Sequence, residues 1–367
     1  MPSFVLPEFR PPDFTTPGLS EAPLAVFRTV EKPGIAPDDY HATSIYPEYF
    51  HLERGVWVLA RESRMDCVVV LEKDRTLSVK EFRRLLPGDL VACGRRENGE
   101  DGIFVHANAF EREDFTAEKF AFRTQISRET SFSYDYDELY GLLEHERSKG
   151  FALWVLGPAV AFDRDARNAL SSMIEAGYVH GVLAGNALAT HDIEASLFAT
   201  ALGQDIYTKK HAPLGHYKHL DALNTIRAAG SIEKAVREEI IKNGIMRSLV
   251  MKNVPYVLAG SIRDDGPLPG VIADACEAQD RMRSLARKAT TVIALATQLH
   301  SIATGNMIPS FRVMDDGTIR PVYFFTVDMS EFSVNKLANR GSLTARSILT
   351  NTQDFAVTLH RGLAKKQ

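Results

Sequence analysis

The frame V-L-A-G occurs twice in this chain, at residues 182–185 and 257–260, and it constrains the fold more than any other feature. Each copy closes an apolar run and opens a polar loop that reaches acids: "VLAGNALATHD" and "VLAGSIRDDGP". A third run, "IALATQLHSIATGN" at 293–306, also ends in Thr, Gln, His and Asn. Short apolar runs bounded by glycine read as buried strands, and helical periodicity between them implies parallel pairing. Three parallel strands that finish in small and polar residues form one crest. Ligands in open α/β sheets bind just outside that edge.

The wider pattern supports the same class. "FALWVLGPAV" is a buried strand, followed by a helix "RDARNALSSMIEAG" stopped at Gly177. "HDIEASLFATALG", "YKHLDALNTIRAAG", "SIEKAVREEIIKNG" and "VIADACEAQDRMRSLARK" read as helices, and "TTVIALAT" and "PVYFFTVD" as strands. A last helix is expected from about Thr344 to Gly362, and a first one from near Tyr134. The segment Ala289 to Phe311 reads as strand plus loop. The fold class is therefore α/β, a doubly wound Rossmann-like parallel sheet, preceded by a small β-rich domain. Upstream, "GVWVLA", "DCVVVL", "DLVACG" and "GIFVHA" are β-rich runs separated by turn residues. Three parts follow: an extended proline-rich arm at 1–37, a β-rich domain at 38–130 and a Rossmann-like domain at 131–367. The arm is expected to pack on something else, such as a neighbouring subunit, so a homo-oligomer is expected.

Bulk properties narrow the function. With 367 residues the chain has room for a substantial core. A net charge of -4 speaks against a nucleic-acid partner. No stretch reads as a membrane span or a signal peptide, and three cysteines without a CxxC pair fit a reducing cytoplasm. His211, His216 and His219 lack a closed ligand set, so no metal is expected.

The crest residues carry the chemistry. No GxGxxG, Walker A, HExxH or GxSxG sequence occurs. Gly157-Pro158 stands where a glycine-rich turn would, and the proline removes one amide from any phosphate cradle. A dinucleotide can still approach Gly185, Gly260 and Gly305, which lack a Cβ. Asp328, after "YFFTV", is placed like a ribose-binding carboxylate, with a helix N-cap as the alternative. His191 and His300 are candidate bases because imidazole titrates near neutrality, a structural role being the alternative for each.

Four longer motifs, "LAGNALATHDIEASLF", "AGSIRDDGPLP", "ATQLHSIATGNM" and "VNKLANRGS", together resemble the lysine-oxoglutarate reductase/saccharopine dehydrogenase (LOR/SDH) conserved-region family. That family includes archaeal-type ornithine cyclodeaminases and the carboxy-terminal part of cyanobacterial arginine dihydrolase/ornithine cyclodeaminases. The likeness extends through "ESRMDCVVV" and "PGDLV" and covers roughly residues 40–360. It implies an NAD-binding domain related to that of deoxyhypusine synthase, and conversion of L-ornithine, or a close diamino acid, to L-proline and ammonia. The amidine-hydrolysing domain of the cyanobacterial proteins has no counterpart here, so arginine degradation is not implied.

The expected reaction removes a hydride from Cα of a diamino acid, closes the ring intramolecularly and returns the hydride, with NAD bound throughout. Asp264 and Asp265 suit the distal ammonium, and a like-charged pair raises one of the two pKa values. Arg263 or Lys336 suits the α-carboxylate, and His191 or His300 the base. Gly157, Pro158, Gly185, Asn186, Ser261, Thr297, His300, Asn306 and Asp328 are the cofactor-side candidates. Cys67 belongs to a matching motif and is a candidate for the interdomain cleft, or a plain buried thiol. The rival functions are an NAD(P)-dependent amino-acid or imine dehydrogenase, an aminobutyl transferase of the deoxyhypusine synthase kind, and a non-catalytic NAD-binding protein.

Overall fold

In the computed structural model, residues 4–110, 133–330, 333 and 343–365 are described. The amino-terminal part holds a one-turn helix α1 (Pro17–Ser20) and strands β1 (Val26–Thr29), β2 (Glu48–Glu53), β3 (Val56–Leu59), β4 (Val68–Leu71), β5 (Leu77–Lys80), β6 (Leu90–Cys93) and β7 (Ile103–Val105). They form two antiparallel sheets, ordered β1-β6-β4-β5 and β3-β2-β7. Phe50 and Ile103 from one sheet and Val69, Val79 and Ala92 from the other share one buried core.

The arm at 1–37, expected to pack on something else such as a neighbouring subunit, packs on its own chain from residue 4 onward. Val26 to Thr29 pair with β6 as an edge strand, and Phe14 stacks on Trp57 at 5.0 Å. Phe4 lies edge-on to Tyr323 of the second part. The aromatic residues that interrupt its prolines are what anchor it, and the structural reason for expecting it on a neighbouring subunit disappears.

The second part opens with α2 (Ser133–Lys149) and β8 (Ala152–Leu156), then α3 (Arg164–Glu175), β9 (Gly181–Gly185) and α4 (Asn186–Phe198). A short ribbon, β10 (Thr200–Ala201) with β11 (Gln204–Asp205), leads to α5 (Gly215–Ala229), α6 (Ile232–Arg237) and α7 (Ile245–Met251). Then come β12 (Tyr256–Ala259), α8 (Ala275–Ala286), β13 (Thr291–Leu295), α9 (Gln298–Met307), the hairpin β14 (Phe311–Val313) and β15 (Ile319–Pro321), β16 (Tyr323–Asp328), β17 (Thr344–Leu349) and α10 (Thr352–Ala364). Six strands make one parallel sheet in the order β12-β9-β8-β13-β16-β17. Numbered by their place in the chain, these run 3-2-1-4-5-6, the dinucleotide-binding order, with its switch point between β8 and β13.

Strand alternation builds the two faces. Trp154, Leu156, Val182 and Ile293 point into one apolar cluster. Their neighbours Leu153, Val155, Leu183 and Val292 point into the other. All five residues of β8 are buried, as a central parallel strand covered on both sides requires.

Three expected elements differ. The "SIEKAVREEIIKNG" helix stops at Arg237 and a separate helix, α7, starts after Gly244. The stretch read as a helix from Thr344 is a strand to Leu349, and its helix starts only after Asn351, whose side chain accepts from Asp354 N–H. The loop expected after β13 is the helix α9, because its apolar residues follow a helical rather than a strand period.

The β-rich part docks on α8 through ions. Glu81 receives Arg64 at 2.7 Å and Arg283 at 2.7 Å. Asp280 receives Arg83 at 2.5 Å and Arg84 at 2.6 Å. The hydrogen bond from Arg84, with the help of Arg83, holds the Asp280 carboxyl down at about 2.

Candidate functional site

The helices that follow the parallel strands differ at their first turn. Asp163 caps α3 by accepting from Asp165 and Ala166 N–H, Asp274 caps α8, and Asn351 caps α10. The helices α4 and α9, which follow β9 and β13, have no such side-chain bond at their N-caps Gly185 and Thr297. These two ends flank β8 at the switch point. Unfilled N–H groups and the positive end of the helix dipole make such positions anion sites.

Glycine holds this ground open. A Cβ on Gly157 would lie 2.1 Å from the Ala296 carbonyl oxygen, so only glycine lets the loops after β8 and β13 close on each other. Gly157 N–H donates to Leu295 O at 2.8 Å. Pro158 then starts a 3-10 turn that ends at Ala161. A Cβ on Gly185 would lie 3.0 Å from His300 Cε1, so His300 leans from α9 onto the end of β9.

His300 is therefore a crest residue, carried on the first turn of a helix rather than at a strand end. Its Nδ1 lies 3.4 Å from Thr297 Oγ1. Burial, and after it the Arg263 guanidinium, lowers its pKa below the ordinary 6.5, so the ring is neutral at neutral pH.

Asn186 pins the loop after β12. Its Oδ1 accepts from Leu268 N–H at 3.0 Å and from Thr190 Oγ1 at 3.3 Å, and its Nδ2 donates to Asp264 Oδ1 at 3.3 Å. The other Asp264 oxygen accepts from Ser261 N–H at 2.8 Å, while Ser261 Oγ accepts from Arg263 N–H at 3.2 Å. The two aspartates thus separate: Asp264 is tied into its own turn, and Asp265 is exposed with no hydrogen bond or ion pair among the described residues.

Other candidates fall elsewhere. Asn306 sits on the last turn of α9, eight positions beyond Gln298, which is a rise of about 12 Å from the crest. Gly305 is buried inside the same helix. Asp328 ends β16, and its Oδ1 accepts from Ser330 N–H at 2.9 Å. Cys67 is 2% exposed in the core of the β-rich part, and burial pushes its thiol up to about 11. A neutral, enclosed thiol is no nucleophile, so Cys67 is packing rather than catalysis. Lys336 lies outside the described residues. His191 sits in the second turn of α4, 8% exposed, with Nδ1 3.0 Å from Glu194 Oε2. Glu194 went unnoticed in the sequence, though its spacing of three from His191 on one helix was the available signal. Among the described residues no cluster of three metal-ligating side chains occurs and no helix is long and apolar enough to cross a membrane.

Parallel order 3-2-1-4-5-6, bare helix ends at the switch point and a neutral histidine over glycine mark the crest of a Rossmann-type sheet. Residues 140–359 match the family model described as "Arginine dihydrolase ArgZ-like, C-terminal, Rossmann fold", and the chain belongs to that family. An ornithine cyclodeaminase of Methanocaldococcus jannaschii is 38% identical over 375 residues, covering 98% of this chain and 82% of the relative. The crystal structure of a LOR/SDH protein from Methanococcus maripaludis S2 superposes with a TM-score of 0.84 at 34% identity, covering 94% of this chain and 99% of that one. The ternary complex of AgrE with ornithine and NAD+ superposes with a TM-score of 0.60 at 31% identity, covering 95% of this chain and 47% of that one.

Proposed function

We propose that this protein is an NAD-dependent ornithine cyclodeaminase, which converts L-ornithine to L-proline and ammonia at the crest of its parallel sheet. The observation that carries the reading is the pair of uncapped helix N-termini, α4 and α9, on either side of β8. The ornithine cyclodeaminase relative and the AgrE complex with ornithine and NAD+ support it.

The residues fit the cofactor. The first turns of α4 and α9 would take the pyrophosphate, with Gly157-Pro158 and Gly185 leaving room for it, and Asn186, Ser261 and Thr297 beside it. Asp328, at the end of β16, suits a ribose hydroxyl. Bound NAD supplies a hydride acceptor that becomes a donor within one turnover.

The protein's own groups do the rest. Asp265 takes the distal ammonium of the diamino acid, and Arg263 its α-carboxylate. Asp264 fixes the turn that presents both. His300, neutral and half enclosed, accepts the proton that the α-ammonium must lose before Cα can be oxidised. Holding the amine and Cα of one substrate in a closed site favours the five-membered ring over reaction with water. The absence of paired cysteines suits a cytoplasmic enzyme.

The test is incubation of the purified protein with L-ornithine and NAD. Proline and ammonia in equal amounts are expected. Net build-up of reduced dinucleotide would point instead to a dehydrogenase, and dinucleotide binding without turnover to a binding protein.

A further inference from the structure

We infer that Glu194 is a positioning residue of this reaction: it holds the His191 imidazole protonated at Nδ1, leaving Nε2 to accept a proton from a substrate ammonium. The inference rests on the cyclodeaminase reading and adds a second proton-handling group to it.

The geometry is that of a buried carboxylate with every lone pair used. Glu194 is fully buried and accepts from His191 Nδ1 at 3.0 Å, Thr200 Oγ1 at 2.9 Å, Leu202 N–H at 3.1 Å and Gly203 N–H at 3.1 Å. Burial alone pushes this carboxyl up, but the hydrogen bonds from His191, Gly203 and Thr200 outweigh it and hold the group below its ordinary range. An ionised carboxylate only accepts, so the shared proton sits on Nδ1. The turn that supplies the two amides packs closely on the start of α5. Gly203 has φ +71, and a Cβ there would meet Gly215 backbone at 2.7 Å.

The other ring nitrogen is different. His191 Nε2 has no hydrogen bond among the described residues, and the Phe162 ring packs edge-on at 5.4 Å. Asp192, next in the chain, faces away, binding Arg167 Nε at 2.6 Å and the N–H groups of Ile245 and Met246. An imidazole oriented by a carboxylate at one nitrogen and unpartnered at the other is the arrangement that general bases use.

Cyclisation creates the need. The attacking amine must first be neutral, so R-NH3+ and imidazole become R-NH2 and imidazolium. When ammonia leaves, the imidazolium returns that proton to give ammonium, and the base is restored. A carboxylate beside Nδ1 stabilises the imidazolium in between. His300 suits this step less well, since the Arg263 charge opposes its protonation.

The tautomer can be read directly by two-bond proton–nitrogen NMR on protein labelled at histidine. The expected wild-type signature for His191 is protonated Nδ1 and bare Nε2. In Glu194→Gln a single amide oxygen replaces two carboxylate oxygens, so either Gly203 N–H on the Oε1 side or Leu202 N–H on the Oε2 side loses its acceptor. In both orientations the charge beside Nδ1 is gone; with the NH2 on the Oε2 side the ring also switches to the Nε2–H form. Turnover of ornithine should then fall about 100-fold or more with KM changed less than about threefold. Glu194→Asp, which keeps a carboxylate, should recover part of the loss. A wild-type Nε2–H tautomer, or a folded Glu194→Gln with turnover within about threefold of wild type, overturns the inference. The wild-type spectrum needs no variant, so a Glu194→Gln that fails to fold leaves the test intact. A wild-type protein that makes no proline removes the cyclodeaminase reading and the base role together; an active protein with the wrong tautomer removes only the role of Glu194.

Discussion

The two ends of the parallel sheet are both polar, and they solve opposite problems. At the end where the strands begin, Glu146 is fully buried and takes hydrogen bonds from Thr290, Thr291 and Arg320. Its partner Arg320 is 2% exposed. At the end where the strands finish, two helices start without a side-chain cap, His300 is held neutral, and Asp265 has no partner among the described residues. One end closes the Glu146 carboxylate within its own polar groups, although Arg320 Nε and Nη1 find no hydrogen-bond partner there among the described residues. The other leaves its polar groups for something else, and that asymmetry separates a structural network from a site.

The largest effect should come from breaking the closed end. Arg320→Met strands the Glu146 carboxylate in the core, and a loss of about 3–5 kcal/mol of stability is expected in denaturant unfolding. Dinucleotide binding by the folded fraction should be unchanged; its loss would erase the distinction between the ends. Asp265→Asn should do the reverse. Turnover of ornithine should fall about 100-fold, with the unfolding midpoint unmoved. Equal turnover by that variant would take Asp265 out of the chemistry.

Asn186→Ala tests the join between the regions. It frees Leu268 N–H and Asp264 and should cost about 1–3 kcal/mol, seen as a raised KM with a smaller change in kcat. A KM like that of wild type would show that the loop holds its place without Asn186. The smallest effect concerns pH. His300 has a lowered pKa in the folded protein, so the stability it contributes is present above its ordinary 6.5 and lost as pH falls below that value. His300→Gln should remove this part of the acid loss, measured by unfolding at neutral and mildly acidic pH. An identical pH dependence in both proteins would place the titration elsewhere.

Much of this was legible in the residues. The V-L-A-G echo marked two neighbouring strands, β9 and β12, and its polar endings marked the crest. Helix α9 was not legible as a helix, because "TQLHSIATGN" mixes β-branched and polar residues whose helical period shows only once the strand is known to stop at Leu295. The same blur joined β17 to α10, since "TARSIL" and "TQDFAVTLH" both mix apolar with polar residues and only Thr350 and Asn351 divide them. The aspartate pair is where structure added most. Nothing in "RDDG" tells which acid turns back to Ser261 N–H and which faces outward. Cys67 failed for a related reason: a motif places a residue in a family, while burial decides its reactivity.

The central claim, that the open end of the sheet runs a redox-neutral ring closure, is tested most directly by isotope retention. Ornithine deuterated at Cα would be turned over with NAD well below the substrate concentration. The account predicts proline that keeps deuterium at Cα, released ammonia and no accumulated reduced dinucleotide. Proline without the label, or reduced dinucleotide formed in step with product, would contradict it.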